Sequence, residues 1–293
     1  MHDRILVAVD GSDGQPVAMA HALALSAATD ATIDVLHVLD RGLSSLFSTT
    51  DADTLRERGE EFLADAETQA TDADQSVETH LVEGTPHDAI LEFADEHGSD
   101  LVVMGRHGPT GVRERLLGSV TDKVLRQGSV PVLTTCYDGP TDPDDVAVEK
   151  LLVPTDGSDE AEAAGPWAGD LAGRFDAPVD VVNVIDLLVD AGPFDAGGVS
   201  QEFIEKLEAN GQEATDRVAD RIHETDPAVS VSTTVTRGRP HQALSEYVPA
   251  NDVDLVVMGS HGHSGVGESL LGSVTNRVLR LVDVPVLVVP PRK

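Results

Sequence analysis

Aromatic residues make up only 3% of the 293-residue chain, so its core must come from Ala, Val, Leu and Ile, within an apolar content of 40%. Cys136 is the only cysteine, which excludes an intrachain disulfide. Its place at the end of "VPVLTTC" reads as a small buried filler rather than a nucleophile. Basic charge is scarce: 20 Lys and Arg stand against 52 Asp and Glu, for a net charge of −32, and lysine occurs only at 123, 150, 206 and 293. Such self-repulsion excludes nucleic acid and anionic membranes as partners. The acid-rich, lysine-poor balance is of the halophilic type, in which abundant counterions screen the repulsion. No apolar run reaches the roughly 18 residues of a membrane span. The start, "MHDRILVAVDGS", lacks the features of a signal peptide, so the cytoplasm is the default location. The Walker pattern Gly-x4-Gly-Lys-Ser/Thr and the Gly-x-Ser-x-Gly elbow are both missing. An efficient enzyme is therefore not supported, no catalytic residue is assigned, and slow ATP hydrolysis is the most that is left open.

What is present is a repeat. "ILVAVDGSD" (Ile5–Asp13) returns as "LLVPTDGSD" (Leu151–Asp159), and "DVLHVLD" (Asp34–Asp40) as "DVVNVID" (Asp180–Asp186), both at an offset of 146. "EGTPHDAI" (Glu83–Ile90) returns as "RGRPHQAL" (Arg237–Leu244), and "SDLVVMG" (Ser99–Gly105) as "VDLVVMG" (Val253–Gly259), at an offset of 154. The second copy thus carries an insertion of eight residues in or beside "LLVDAGPFDAGGVS". Two tandem domains follow, residues 1–137 and 150–293, with a Gly-Pro and Asp-Pro linker over 138–149.

Each copy alternates apolar runs with helical patterns. In the first, "RILVAVD", "TIDVLHVL", "VETHLVEG", "DLVVMG" and "VPVLTTC" read as strands. "VAMAHALALSAA", "TLRERGEEFLADAETQA", "PHDAILEFADEHG" and "SVTDKVLRQG" read as helices. Near-continuous apolar strands alternating with helices predict α/β domains, each a doubly wound parallel sheet. Ligands of such sheets settle at the carboxyl ends of the strands, where strand order reverses. Asp10, Val38 and Gly105 all fall at such ends.

The long loop after the fourth strand suits phosphate. Gly105 and Gly108 have no Cβ to keep a phosphate chain away from the backbone. Gly118 opens a short helix whose free amides, at Val120 and Thr121, and whose dipole favour an anion. The Ser119 and Thr121 hydroxyls add donors. The second copy repeats this with Gly259, Gly262, Gly272, Ser273, Val274 and Thr275. Glycine after a strand is often a mere turn and Gly-Ser often only a cap, but the complete spacing occurs twice, each time behind the fourth strand.

Gly105-x2-Gly108-x9-Gly118-Ser119 and Gly259-x2-Gly262-x9-Gly272-Ser273 resemble the nucleotide-binding pattern of ATP-binding universal stress proteins. "VDGS" and "TDGS" resemble that family's first strand and turn, and the resemblance covers nearly the whole chain. It implies two Rossmann-like, adenine nucleotide alpha hydrolase-like domains of five strands in the order 3-2-1-4-5. It also implies ATP with a divalent metal, Mg or Mn, on the phosphates. Asp10 and Asp156 would then meet the ribose or adenine side, Val38 and Val184 the adenine, and Met104 and Met258 the border of the nucleotide. The loop glycines, serines and threonines would hold phosphates. In that family single domains pair through the fifth-strand edge. Here the copies would pair with each other as an internal pseudo-dimer, with a further homodimer left open. The implied role is that of a nucleotide-responsive binding protein in stress adaptation, with an unknown protein partner.

The copies differ in loop charge. Arg106, Arg113 and Arg115 are replaced by Ser260, Gly267 and Ser269, so the first site is expected to bind triphosphate more tightly. His261 and His263 lack the companions of a metal site and read as loop residues near the nucleotide, as does His107. His87 and His241 start helices and read as capping or surface groups. His37 is matched by Asn183, which argues against a shared chemical role. Two rivals stand: a slow ATPase or nucleotidyl-transfer enzyme, and a scaffold whose loops bind nothing.

Overall fold

The computed structural model describes residues 3–40, 49–106, 117–187, 200–262 and 271–291. Two compact units divide the chain, Met1–Ala147 and Val148–Lys293. In unit 1 the order is β1 (Arg4–Val9), α1 (Gln15–Thr29), β2 (Thr32–Asp40), α2 (Thr49–Asp72), β3 (Glu78–Gly84), α3 (Pro86–His97), β4 (Leu101–Gly105), α4 (Ser119–Gln127) and β5 (Val132–Thr135). A 3-10 turn follows at Pro143–Asp145. Unit 2 runs β6 (Leu151–Thr155), α5 (Asp159–Glu162), α6 (Ala164–Phe175), β7 (Val179–Ile185), α7 (Gln201–Thr225), β8 (Val231–Arg237), α8 (Pro240–Ala250), β9 (Leu255–Gly259), α9 (Ser273–Leu281) and β10 (Val286–Val289).

Every strand pairing within a unit is parallel. The strand order is β3-β2-β1-β4-β5 in unit 1 and β8-β7-β6-β9-β10 in unit 2, as the resemblance implies. The order in which strands are added reverses between β1 and β4, and again between β6 and β9. That is where a doubly wound sheet opens a crevice at its carboxyl edge. The central strands are sealed on both faces: Ile5, Leu6 and Val7 are fully buried, as are Leu151, Leu152 and Val153. Burying a side chain of that size contributes about 1.5–3 kcal/mol.

Local chemistry sets the ends of the helices. Pro86 opens α3 where its missing N–H costs nothing, and Gly98 closes it at φ 65 in the left-handed region. Pro240 opens α8 in the same way. In unit 1 the segment expected as a linker packs on the fold: Gln69 Nε2 donates to the carbonyls of Pro16 and Thr141, both at 2.8 Å, and Gly139 lies against Val17. Cys136 sits one residue past β5 and is half-buried rather than fully buried. Among the described residues, no helix is long and apolar enough to cross a membrane.

Candidate functional site

The two units build their carboxyl edges from the same bonds. After β1 the chain turns through Gly11 at φ 72, and after β6 through Gly157 at φ 83, a region that excludes most side chains. The aspartate before each glycine folds back on the turn. Asp10 Oδ1 accepts from Ser12 N at 3.0 Å, and Asp156 Oδ1 accepts from Ser158 N at 3.0 Å and from its hydroxyl at 2.6 Å. At the other wall, Gly118 N donates to the Arg106 carbonyl at 2.7 Å and Gly272 N to the Ser260 carbonyl at 2.8 Å. These bonds dock the start of α4 and α9 beside the ends of β4 and β9.

The glycine N-caps of α4 and α9, Gly118 and Gly272, make no side-chain cap. The amides of the first turn, at Ser119, Val120 and Thr121 and at Ser273, Val274 and Thr275, therefore have no intrahelical acceptor and carry the positive end of the dipole. The threonine hydroxyls do not join them as donors. Thr121 Oγ1 donates to the Gly105 carbonyl and Thr275 Oγ1 to the Gly259 carbonyl, each at 2.9 Å. Both threonines are buried, and their hydroxyls hold helix to strand.

In unit 2 these parts enclose a cleft of about 610 Å³ counted out to its open mouth. Pro154, Ala161, Val182, Val184, Leu244 and Met258 give it apolar walls. The polar end is made by Asp156, His261 and the loop and helix start at Gly259, Gly262, Gly272, Ser273, Val274 and Thr275. All nine second-copy residues singled out from the sequence thus line one cleft. The glycines have distinct reasons to be glycine. A Cβ on Gly262 would collide with Asp156 Oδ2, whereas a Cβ on Gly259 would come 2.6 Å from the Glu160 carbonyl oxygen. Gly259 is small because α5 packs there, not because its face is open to a ligand. His261 shares a hydrogen bond with Ser260 Oγ at 2.8 Å through Nδ1, and its Nε2 is buried with no hydrogen-bond partner.

In unit 1, Asp10 is exposed just past β1, Val38 is half-buried near the end of β2, and Met104 and Gly105 end β4 beside Gly118, Ser119, Val120 and Thr121. Gly108, His107, Arg113 and Arg115 lie outside the described residues, as do His263, Gly267 and Ser269. Arg106 is only 4% exposed, its Nε donating to Thr134 Oγ1 at 3.2 Å. Two guanidiniums missed in the sequence, Arg239 and Arg277, line a chamber beside the cleft of unit 2 together with His241, which was expected only to cap its helix or face the surface. Arg277 lies far along the chain from Arg239 and His241, so no local motif joins the three. Burial, then Arg277 and Arg239, hold the His241 imidazole below its ordinary pKa, against the pull of Asp186.

His37 and Asn183 do share a role, contrary to expectation, although it is structural. His37 Nδ1 lies 2.8 Å from the Val9 carbonyl, and Asn183 Nδ2 donates to the equivalent Thr155 carbonyl at 2.8 Å.

The family model described as "Universal stress protein family" matches residues 1–135 and again 147–290. The chain belongs to the universal stress protein family. A universal stress protein of Mycobacterium tuberculosis is 29% identical over 296 residues, covering 97% of this chain and 96% of its own. One of Mycolicibacterium smegmatis is 32% identical over 303 residues, covering 98% and 97%. The crystal structure of a universal stress protein from Archaeoglobus fulgidus has the same fold, with a TM-score of 0.71 at 21% identity, over 98% of this chain and 96% of that one. The tandem arrangement is therefore a full-length property of these relatives.

Proposed function

We propose that this universal stress protein is an ATP-responsive binding protein in stress adaptation, with the unit 2 cleft as a nucleotide site. The observation that carries the reading is the meeting of Asp156, Val184, Met258 and six loop and helix-start residues, Gly259, Gly262, Gly272, Ser273, Val274 and Thr275, around one cleft. Members of the family often bind adenine nucleotides and are usually cytoplasmic. Val182, Val184, Leu244 and Met258 offer a flat, uncharged base the apolar walls it needs. The free amides of Ser273 and Val274 offer a phosphate chain the positive end of α9. Among the described residues Asp156 is the one carboxylate of the cleft, so a Mg or Mn ion would ride mainly on the phosphates rather than in a protein cage. Unit 1 offers the same elements in Asp10, Val38, Met104, Gly105, Gly118, Ser119, Val120 and Thr121.

A bound triphosphate adds negative charge where the chain concentrates its free amides. Occupancy would thus change the surface around the loop, which is what a partner would read. The absence of a P-loop lysine fits binding better than fast phosphoryl transfer. The test is thermal unfolding of the full chain in molar potassium chloride with ATP and magnesium. At 100 times the dissociation constant, a ligand specific for the folded state adds about 2.7 kcal/mol. Stabilisation by ATP that is reduced in Gly272→Val is expected. No shift at millimolar ATP rejects the reading in favour of a scaffold, and turnover of labelled ATP lost on Asp10 and Asp156 substitution replaces it with an enzyme.

A further inference from the structure

The cleft of unit 2 opens into a wider, more polar chamber, the two sharing Asp156, Val184, Pro240, Ser273 and Val274. Arg239, just before α8, His241, in its first turn, and Arg277, one turn into α9, converge on the chamber wall. Arg277 Nη1 stands 3.3 Å from His241 Nδ1. A fourth basic residue, Arg217, is already committed: its guanidinium meets Glu162 and Glu213 and donates to the Gly157 carbonyl. Among the described residues, the carboxylates facing the chamber are Asp156, Asp186 and Glu213. In a chain with 52 acidic and 20 basic residues, Arg239 and Arg277 bring two guanidiniums to one imidazole, a grouping whose donors suit an added anion. The starts of α8 and α9, neither with a side-chain cap, line the same chamber and add their dipoles.

Among the described residues, unit 1 has less of the charge and less of the room. At the positions of Arg239 and Arg277 it carries Thr85 and Lys123. Gly59 on α2 faces His37 as Gly211 on α7 faces Asn183, so Phe62, three residues on, corresponds to Ala214. Ala214 lines the chamber of unit 2. The Phe62 ring fills the same place in unit 1, so close over Gly11 that a Cβ there would collide with it.

We propose that unit 2 carries a second anion subsite, formed by Arg239, His241 and Arg277, that takes a phosphate group of the polyphosphate ligand seated in the adjoining cleft. Unit 1 has no such subsite. The identity of the seated ligand rests on the nucleotide reading; the anion subsite itself does not. Guanidiniums grip phosphate through paired, charge-assisted hydrogen bonds, and an anion between Arg239 and Arg277 offsets the repulsion that, after burial, lowers the His241 pKa.

The full chain, with labelled histidine and His241 assigned by His241→Gln, is titrated with acid by NMR at fixed potassium chloride, with and without millimolar pyrophosphate. Pyrophosphate is expected to raise the His241 pKa in the wild type. It should leave the pKa unmoved in Arg239→Ala/Arg277→Ala, two exposed substitutions whose melting is checked in parallel. Failure of pyrophosphate to move His241 overturns the subsite. In a second arm, the double variant is expected to bind ATP at least about tenfold more weakly, the loss of one charge-assisted contact or more, with adenosine unaffected. Equal ATP affinity in wild type and variant also overturns the subsite and leaves the nucleotide reading standing. If neither adenosine nor ATP binds but pyrophosphate still moves His241, the nucleotide reading fails and the subsite stands.

Discussion

Asp34 in unit 1 and Asp180 in unit 2 occupy the same place on the second strand, and both are buried, yet the two units neutralise them differently. Asp34 Oδ2 faces Arg4 Nε at 2.7 Å, and its other oxygen faces His80 Nε2 at 3.0 Å. Asp180 Oδ2 faces Lys150 Nζ at 3.5 Å and accepts from the Tyr247 hydroxyl at 3.0 Å. Lys150 replaces Arg4 at the head of the first strand. The second donor changes element: His80 stands on β3 with Phe93 behind it on α3, whereas unit 2 has Thr234 on β8 and Tyr247 on α8. A repeat can therefore keep a buried charge while exchanging every group that makes it tolerable, provided the exchange is made in pairs. Glu78 also comes near, so that ligand atoms of Asp34, Glu78 and His80 lie within 4.8 Å of one another, but both Asp34 oxygens already face Arg4 and His80.

The strongest way to break this comparison is to remove the carboxylates. Asp34→Ala leaves a guanidinium and an imidazole without their partner, and a broken buried pair is costly. A loss of about 2–4 kcal/mol is expected for unit 1 in chemical denaturation at molar potassium chloride. Asp180→Ala should cost less, because its ammonium partner is more distant and already donates to the Asn251 carbonyl at 3.1 Å. An equal or larger loss at Asp180 contradicts the account.

A milder change sharpens it. His80→Thr alone removes the donor to Asp34 Oδ1 and should cost about 1–3 kcal/mol, the penalty of an unsatisfied buried acceptor. Adding Phe93→Tyr installs the donor of unit 2 and should restore at least half of that loss. No rescue in the double variant means that the two arrangements are not interchangeable. The third effect is seen with pH. Burial first, then the hydrogen bond to Asp180, push Tyr247 up to about 12. The unfolded phenol loses its proton near pH 10. The stabilisation from Tyr247 is thus complete below pH 10 and lost as pH rises from there to about 12. Tyr247→Phe should have a flatter stability curve over that interval, and a curve parallel to wild type argues against the bond.

Most of the fold was legible because its signals are local. Apolar runs such as "RILVAV" end at turn residues, and Pro86 and Gly98 mark both ends of α3. The longest misjudged boundary is at α2, which begins at Thr49, ahead of the expected Thr54. "TTDAD" has no apolar spacing to announce a first turn. The unit 2 cleft was legible because its residues sit at strand ends with glycine spacing. What escaped was direction and depth. Nothing in "MGRHG" says that Arg106 turns inward to Thr134, or in "GSVT" that the threonine hydroxyl is taken by the strand it follows. Arg239 and Arg277 are 38 positions apart and meet only because α8 packs on α9.

The smallest effect is the most exacting test of equivalence between the units. His37 and Asn183 differ in size, charge and acidity, yet each makes one bond to the carbonyl that ends the neighbouring central strand. Each also fills the notch left by a helix glycine, Gly59 or Gly211. If the hydrogen bond and the notch are the whole role, His37→Asn should change stability by less than about 1 kcal/mol. His37→Ala, which strands the Val9 carbonyl, should cost about 1–3 kcal/mol. The imidazole has one further contact that asparagine lacks, its edge against the Phe62 ring at 5.3 Å between centroids. A clear loss in His37→Asn that disappears in the background of Phe62→Ala would trace the difference to that ring. It would tie the choice of histidine or asparagine to the same residue pair, Phe62 and Ala214, that separates a filled chamber from an open one.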